Sequence, residues 1–168
     1  MHRQASIADL DAVYSIYMEK DTIPYLGFDP MPRAAFQRVM DELVASESFF
    51  VVEIEGCVQG FYRATRQEGR AGHVASLGTF AIAPESRGTG LAKSILEEAI
   101  LRLHHEGVTR IELTVEADNP RAIRFYGNLG FELEGTLRSA YKRSSDVHYV
   151  DELFMAKLLP PLANPNDA

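Results

Sequence analysis

The sequence has 168 residues and a single cysteine, Cys57, so an internal disulfide is excluded. It also lacks any apolar run near the ~20 residues that a membrane-spanning helix needs. Basic residues are in the minority, since 17 Lys and Arg stand against 24 Asp and Glu, a formal net charge of −7. Nucleic-acid-binding surfaces depend on excess positive charge. We therefore expect neither a membrane nor a nucleic acid among the partners of this protein.

The sequence also lacks two further features, the apolar segment of a secretory signal and a set of histidines with metal-ligand spacing. Residues 1–5 lead into a helical pattern without the apolar segment of a secretory signal, which predicts a cytoplasmic location. His73, His104 and His105 do not have metal-ligand spacing with any Cys or Asp cluster, so we expect no metal. The length fits one domain, assigned to residues 1–159, and the polar residues 160–168 are predicted to be a disordered tail.

Two amphipathic helices are predicted near the N-terminus. Ser6 and Asp9 have the spacing of a capping box, and apolar residues then recur with helical periodicity from Leu10 to Tyr17. A second helix is predicted for residues 32–46. Between them, residues 21–32 contain three prolines among aromatic side chains, and we interpret this stretch as a loop on the substrate side.

The rest of the chain alternates strand and helix patterns. Strands are predicted at residues 49–54, 58–66, 74–83, 110–115, 131–138 and 147–158, and helices are predicted to begin after the glycines near residue 90 and at Asn119. The strand–helix–strand unit within residues 74–115 is a crossover, so its two strands are expected to be parallel. The predicted fold class is therefore α/β, or α+β, with a mixed sheet that has a parallel step in its middle.

Residues 81–92, Ala-Ile-Ala-Pro-Glu-Ser-Arg-Gly-Thr-Gly-Leu-Ala, join a strand to a helix through a glycine-rich turn. The start of a helix offers about four backbone N–H groups without intrahelical partners, together with the positive end of the helix dipole. Gly88 and Gly90 have no side chain that would keep a ligand away from those groups. The turn is therefore a candidate site for a pyrophosphate.

Two common nucleotide motifs do not fit this turn. A P-loop that ends at Lys93 and Ser94 would need glycine at positions 87 and 92, which are Arg and Ala. A Rossmann fingerprint would need glycine or alanine where Lys93 stands, and no acidic residue ends a second strand at the required distance. Both interpretations are excluded.

A second motif connects the turn to a known family. The turn reads Arg-x-x-Gly-x-Ala at residues 87–92, and residues 119–126 read Asn-x-x-Ala-x-x-x-Tyr, followed by Gly-Phe at 130–131. Both motifs, at this separation, resemble the GNAT superfamily of acetyl-CoA-dependent N-acetyltransferases. The resemblance extends over residues 6–158, and its specific motifs lie within residues 77–131.

The resemblance implies a fold and a cofactor site. The fold would be a central mixed sheet of about six to seven strands flanked by about four helices, with two central parallel strands that splay apart. The first splayed strand would pair with the pantetheine arm of acetyl-CoA, and the turn would hold the pyrophosphate. The implied acetyl-CoA residues are Phe80, Ala81, Ile82, Arg87, Gly88, Thr89, Gly90, Leu91, Ala92, Lys93, Asn119, Arg121 and Tyr126.

The resemblance also implies direct attack of an amine on the thioester. The backbone N–H at Ile82 or nearby would stabilise the thioester oxygen. Tyr126 would protonate the departing thiolate, because a phenol stays protonated at neutral pH. The predicted function is therefore transfer of an acetyl group to a primary amine of a small molecule or to a protein or peptide N-terminus.

The base that takes the proton from the amine is left open by the sequence. Residues 77–83 lack the glutamate that many members of the superfamily use as a base. Glu116, at the end of the second splayed strand, is the first candidate for this role. Asp151, His148 and a water relay are the alternatives.

The acceptor pocket is expected to involve the loops at residues 22–32 and 141–146. In these loops, the side chains of Tyr25, Phe28, Asp29 and Tyr141 could hold a cationic amine by aromatic ring faces and a carboxylate. The sequence does not identify one acceptor.

Two other functions compete with the enzyme. A noncatalytic acyl-CoA-binding sensor would keep the turn but could lack an acid, a base or an open amine pocket. An RNA-binding module would use Arg121 and Arg124, and the net charge of −7 argues against it. The sequence also leaves open a homodimer formed through an edge strand.

Overall fold

The computed structural model describes residues 1–161, which form one mixed seven-stranded sheet and four α-helices. The sheet order is β1-β2-β3-β4-β5-β7-β6. The strands are β1 (His2–Gln4), β2 (Phe49–Ile54), β3 (Cys57–Arg66), β4 (Val74–Ile82), β5 (Arg110–Glu116), β6 (Glu132–Tyr141) and β7 (Val150–Leu158), and the helices are α1 (Leu10–Tyr17), α2 (Arg33–Ala45), α3 (Leu91–His105) and α4 (Pro120–Asn128). The predicted fold class is confirmed. Residues 162–168 of the predicted tail lie outside the described residues.

Strand β1 is absent from the sequence prediction, which took residues 1–5 to lead directly into a helix. That expectation is wrong, because His2–Gln4 forms an antiparallel pair with Phe50–Val52 of β2. Three residues are too few to display the alternation by which a strand is recognised in a sequence.

The predicted capping box opens the first helical segment. The Ser6 backbone N–H donates to the Asp9 carboxylate at 2.8 Å, and Arg3 donates two further hydrogen bonds to Asp9 at 2.7 and 2.8 Å. The first turn is a 3-10 helix at Ile7–Asp9, and the α-helix begins at Leu10. These bonds fix α1 to the edge of the sheet beside β1.

Strands β4 and β5 and helix α3 form the predicted parallel crossover. The other neighbouring strand pairs among residues 1–161 are antiparallel. Strand β7 lies between β5 and β6, so the C-terminal hairpin returns its second strand to the centre of the sheet. This insertion brings Glu152 of β7 opposite Glu116 of β5.

Apolar side chains cover both faces of the sheet. Helix α3 buries Ile95 and Leu96 against one face, and helices α1 and α2 bury Tyr17 and Phe36 against the other. Burial of each such side chain contributes roughly 1.5–3 kcal/mol. No helix within the described residues is long and apolar enough to cross a membrane.

Candidate active site

The central feature of the site is a gap between the two parallel strands. Strands β4 and β5 pair only where Val74–Ser76 lies beside Arg110–Glu112. Beyond that point, β4 pairs only with β3 on its far side, and β5 pairs only with β7. The predicted splay is therefore present, and it leaves one backbone edge of residues 77–82 open to a ligand.

A β-bulge shapes the open part of β4. Phe61 of β3 faces Ala81, but Arg63 faces Gly78, so two residues of β4 oppose one of β3. Thr79, within this bulge, has a φ of 48°. Bulges of this kind bend a strand and re-aim its side chains. Here the bulge contributes to the divergence of β4 from β5.

The hydrogen bond next to Ile82 supports the prediction that the Ile82 N–H is a donor at the open edge. The N–H of Ala83 donates to the Gln59 carbonyl oxygen on the β3 side at 2.8 Å. Successive backbone N–H groups of a strand point to opposite edges. The N–H of Ile82 is therefore directed into the gap.

A cavity of about 710 Å³ occupies the gap and extends to the loops above it. The predicted site residues that line it are Tyr25, Phe80, Ala81, Ile82, Arg87, Ala92, Glu116, Asn119, Arg121, Tyr126 and Tyr141. The predicted residues that lie outside this lining are Phe28, Asp29, Gly88, Thr89, Gly90, Leu91 and Lys93. The structure thus gathers most of the predicted side chains around one opening.

The glycine-rich turn presents unpaired backbone donors at the start of α3. Gly88 and Gly90 have φ values of 77° and 89°, in the left-handed region that favours glycine. A Cβ added at either glycine would meet no atom within 4 Å. Within the described part of the chain, the N–H groups of Gly88, Thr89, Gly90 and Ala92 donate to no acceptor. A bound anion would satisfy them.

Two N–H groups of the predicted turn are already used within the protein. The N–H of Arg87 donates to the Pro84 carbonyl at 3.2 Å, and the N–H of Leu91 donates to Thr89 Oγ1 at 3.3 Å. The donor set open to a ligand is therefore smaller than the whole of residues 87–92.

The Arg87 side chain serves the scaffold. Its guanidinium donates to the Glu19 carboxylate at 2.5 Å and to Thr22 Oγ1 at 2.6 Å. This ion pair lowers the pKa of Glu19. The bonds tie the turn to the segment after α1, which forms another wall of the cavity. Lys93 lies outside the cavity lining and pairs with Glu97 at 3.8 Å.

Helix α4 begins at the end of β5 and supplies the other wall. Asn119 caps it, since its Oδ1 accepts a hydrogen bond from the Ala122 N–H at 3.1 Å. Pro120 occupies the first helical position, where its missing N–H costs nothing. Asn119 therefore orients the helix on which Arg121 and Tyr126 lie.

Tyr126 has the surroundings of a proton donor. Its half-buried ring packs against Phe125 and Phe131, with ring centroids 5.4 and 5.9 Å away. Burial and the nearby Glu116 carboxylate raise the pKa of the Tyr126 phenol above its usual value. The phenol therefore stays protonated at neutral pH, and its ring lines the cavity.

Glu116 has the surroundings of a base. Its side chain lines the cavity, and the residue is only 9% exposed. Burial raises the pKa of the Glu116 carboxyl to about 7, and repulsion from Glu152 and Asp118 acts in the same direction, whereas Arg143 opposes it. At neutral pH this carboxyl can therefore both accept and release a proton.

The alternative bases lie away from this opening. Asp151 accepts a hydrogen bond from the Ser139 N–H at 2.8 Å, on the outer hairpin. Neither Asp151 nor His148 lines the cavity. The geometry favours Glu116 over both.

A network around Arg143 joins the loops that carry Tyr25 and Tyr141, two residues of the cavity lining. Arg143 donates to the Pro24 carbonyl at 2.6 Å and to the Asp118 carboxylate at 2.9 and 3.1 Å. Its guanidinium lies 5.3 Å from the centre of the Tyr25 ring and 5.2 Å from that of Tyr141. The two rings that were expected to hold a cationic amine thus already contact an internal cation.

Two further hydrogen bonds join the same loops. The Tyr141 hydroxyl donates to the Leu26 carbonyl at 2.6 Å. Asp29 accepts a hydrogen bond from the Ser144 N–H at 3.0 Å. Phe28 is 42% exposed and contacts the Tyr17 ring instead of the cavity. Tyr141 and Asp29 therefore connect the walls of the pocket.

Sequence reasoning missed Arg143 and Glu152. The position of Arg143 depends on its bond to Pro24, 119 positions away, and that of Glu152 depends on the register between β5 and β7. No local sequence pattern indicates either contact. Glu152 could have been found by predicting that β7 pairs with β5. Among residues 1–161, no group of three or more His, Cys, Asp and Glu side chains is arranged to hold a metal ion.

Comparison with known proteins identifies the family. The model of the acetyltransferase (GNAT) family matches residues 10–131. This chain belongs to that family. A relative with 31% identity over 162 residues, covering 93% of this chain and 96% of the relative, is the L-amino acid N-acetyltransferase AaaT of Escherichia coli strain K12. The chain is therefore an acetyl-CoA-dependent acetyltransferase, as the sequence predicts.

Solved structures agree in fold. A ribosomal-protein-alanine N-acetyltransferase from Brucella melitensis is 26% identical, with a TM-score of 0.74 over 95% of this chain and 99% of that chain. A GCN5-related N-acetyltransferase from Kribbella flavida is 25% identical, with a TM-score of 0.76 over 95% of this chain and 97% of that chain. The names of these relatives differ in their acceptors, so the family alone does not specify the amine.

Proposed function

We propose that this protein transfers the acetyl group of acetyl-CoA to the primary amine of a small molecule or a peptide N-terminus by direct attack. The observation that carries the proposal is the pair of Glu116 and Tyr126, which line the same cavity at the open end of the splayed strands. One is a carboxyl with a pKa of about 7, and the other is a phenol that stays protonated. Such a pair matches a base and an acid acting in one reaction.

The residues that would bind acetyl-CoA fit its two polar parts. The unpaired N–H groups of residues 88–92 suit the pyrophosphate, because they combine open space with the positive end of the α3 dipole. Arg121 lies on the first turn of α4 and adds positive charge to the cavity. The open backbone edge of Phe80–Ile82 suits the amide groups of the pantetheine arm.

The reaction needs three contributions from the protein. When bound, acetyl-CoA supplies an acetyl group activated as a thioester. Glu116 removes a proton from the acceptor ammonium, and the freed amine attacks the thioester carbonyl. The Ile82 N–H stabilises negative charge on the carbonyl oxygen. The C–N bond forms, the C–S bond breaks, and Tyr126 donates its proton to the departing sulfur.

Tyr126 recovers its proton through the cavity. Formation of the amide releases a second proton from the nitrogen, and water in the cavity carries this proton to the Tyr126 phenolate. Glu116 releases the first proton to solvent. The products are an N-acetylated amine, CoA with a free thiol and one proton, so atoms and charges balance.

The test is a reaction between the purified protein, acetyl-CoA and a mixed panel of amines and short peptides. Free thiol is followed with a thiol reagent, and acetylated products are identified by mass spectrometry. Amine-dependent thiol release with an equal amount of an N-acetylated product is expected. Tight binding of acetyl-CoA without any thiol release would support the acyl-CoA sensor instead.

A further inference from the structure

We place the acceptor at the end of the cavity that is lined by Tyr25, Tyr141 and Glu152, and this acceptor end is short of available positive charge. Arg87 lines the cavity and Arg143 supports the loops beside it, and both already have carboxylate partners. Arg87 pairs with Glu19 at 2.5 Å and Asp21 at 3.8 Å, and Arg143 pairs with Asp118 at 2.9 Å and Asp146 at 3.1 Å. The remaining arginine of the lining, Arg121, lies on the α4 turn that we assign to acetyl-CoA.

Negative charge, by contrast, is left over. Glu116 and Glu152 both line the cavity and lie opposite each other on β5 and β7. Among the ion pairs of the described residues, none involves either carboxylate. Glu116 is nine-tenths buried and makes no ion pair, and burial raises the pKa of its carboxyl despite the opposing effect of Arg143. A buried carboxylate in this position is costly unless something positive reaches it.

From this imbalance we infer that the acceptor is an amine with a second cationic group and no free carboxylate beside the reacting nitrogen, and that Glu152 binds the second cation. This inference rests on the proposed acetyl transfer. Glu116 receives the reacting ammonium, and Glu152 lies beside it on the neighbouring strand. A diamine with a short carbon chain can contact both carboxylates at once.

The inference excludes a free amino acid as the preferred acceptor. An amino acid carries its carboxylate one carbon from the reacting nitrogen. In this cavity that carboxylate would lie near Glu116 and Glu152, and neither Arg87 nor Arg143 is free to bind it. Carboxylates that lie close together repel each other. The specificity would then differ from the one that the name of the E. coli relative describes.

Two matched pairs of acceptors test the inference. The first pair is 1,4-diaminobutane and n-butylamine, which differ by one ammonium group. The second pair is L-phenylalanine amide and L-phenylalanine, which differ by the carboxylate. Values of kcat/KM are measured at pH 8.5, where Glu116 is ionised. About a tenfold preference is expected for the diamine and for the amide, the value of one charge-assisted contact.

The variant Glu152→Gln keeps the shape of the side chain and removes its charge. The ratio of kcat/KM for the diamine to that for butylamine should fall from about ten to about one. The matched control is Glu132→Gln, an exposed residue of β6 outside the cavity, which should keep the wild-type ratio. Thermal unfolding of each variant checks that the fold is intact.

Two results would overturn the inference. One is a higher kcat/KM for L-phenylalanine than for its amide, and the other is an unchanged diamine preference in Glu152→Gln. In either case, amine-dependent thiol release would leave the proposed acetyl transfer standing. Absence of thiol release with every amine would contradict the proposed function itself.

Discussion

The two ends of the cleft are built in different ways. At the end that we propose for acetyl-CoA, the donor end, the groups open to a ligand belong to the backbone: unpaired N–H groups at Gly88 and Gly90 and the open edge of β4. At the proposed acceptor end, the lining includes side chains that are held by distant partners. Tyr141 bonds to Leu26 across 115 positions, and Arg143, which supports the same loops, bonds to Pro24 across 119 positions. A site built from backbone groups depends little on the identity of the side chains. A side-chain site can change with single substitutions, so a shared donor and variable acceptors are expected from this architecture.

The largest effect should follow from closing the donor end. Gly90→Val places a branched side chain where the turn has open space and forces it into a left-handed conformation at φ 89°. The affinity for CoA should fall at least about a hundredfold, because the side chain excludes the pyrophosphate from several N–H bonds. Isothermal titration with CoA measures this.

The matched control for Gly90→Val is Gly56→Val. Gly56 also has a left-handed φ, of 79°, and open space around it, but it lies in the β2–β3 hairpin turn. The control should lose stability without losing CoA affinity. Normal CoA binding by Gly90→Val would remove the pyrophosphate from this turn.

The next largest effect is expected from a substitution of Tyr126, where the two ends of the cleft meet. Tyr126→Phe removes the proposed proton donor and keeps the ring packed against Phe125 and Phe131. We expect kcat to fall at least about tenfold with little change in acetyl-CoA affinity. Steady-state kinetics across several accepted amines measures kcat, with the exposed Tyr149→Phe as control. Unchanged turnover with all of them would exclude Tyr126 as the acid.

A smaller effect is expected from loosening the acceptor end. Arg143→Met removes hydrogen bonds to Pro24 and Asp118 and should raise KM for the amine about fivefold, while CoA binding stays normal. Because Arg143 lowers the pKa of Glu116, its loss should also move the acidic limb of the pH profile to higher pH.

The control for Arg143→Met is Arg138→Met, an exposed arginine of β6. It should change neither KM nor the position of the acidic limb. If Arg143→Met raised KM without moving that limb, Arg143 would only support the loops and would not act on Glu116.

The same contrast explains what the sequence could predict. The turn, the capping Asn119 and Tyr126 lie in two short segments whose spacing is local, so their positions follow from pattern. Most helices and strands were also predictable, because their periodicity extends over six or more residues.

The acceptor end could not be predicted in this way. Tyr141 contacts Leu26, Arg143 contacts Pro24, and Glu152 faces Glu116, all through pairings that depend on the finished sheet. Tyr25, Phe28, Asp29 and Tyr141 were predicted as substrate contacts from their side-chain chemistry, but Phe28 and Asp29 lie outside the cavity lining. Side-chain chemistry alone does not tell a binding residue from one that joins two loops.

The pH dependence of kcat/KM tests the central role of Glu116 most directly. In the wild-type protein, kcat/KM for a primary amine should fall below pH 7, as Glu116 becomes protonated, and should be level above it. In Glu116→Gln that break should disappear, and kcat/KM should instead rise with pH toward the pKa of the free amine, about 10. If Glu116→Gln kept the wild-type rate and the break near pH 7, Glu116 would not be the base.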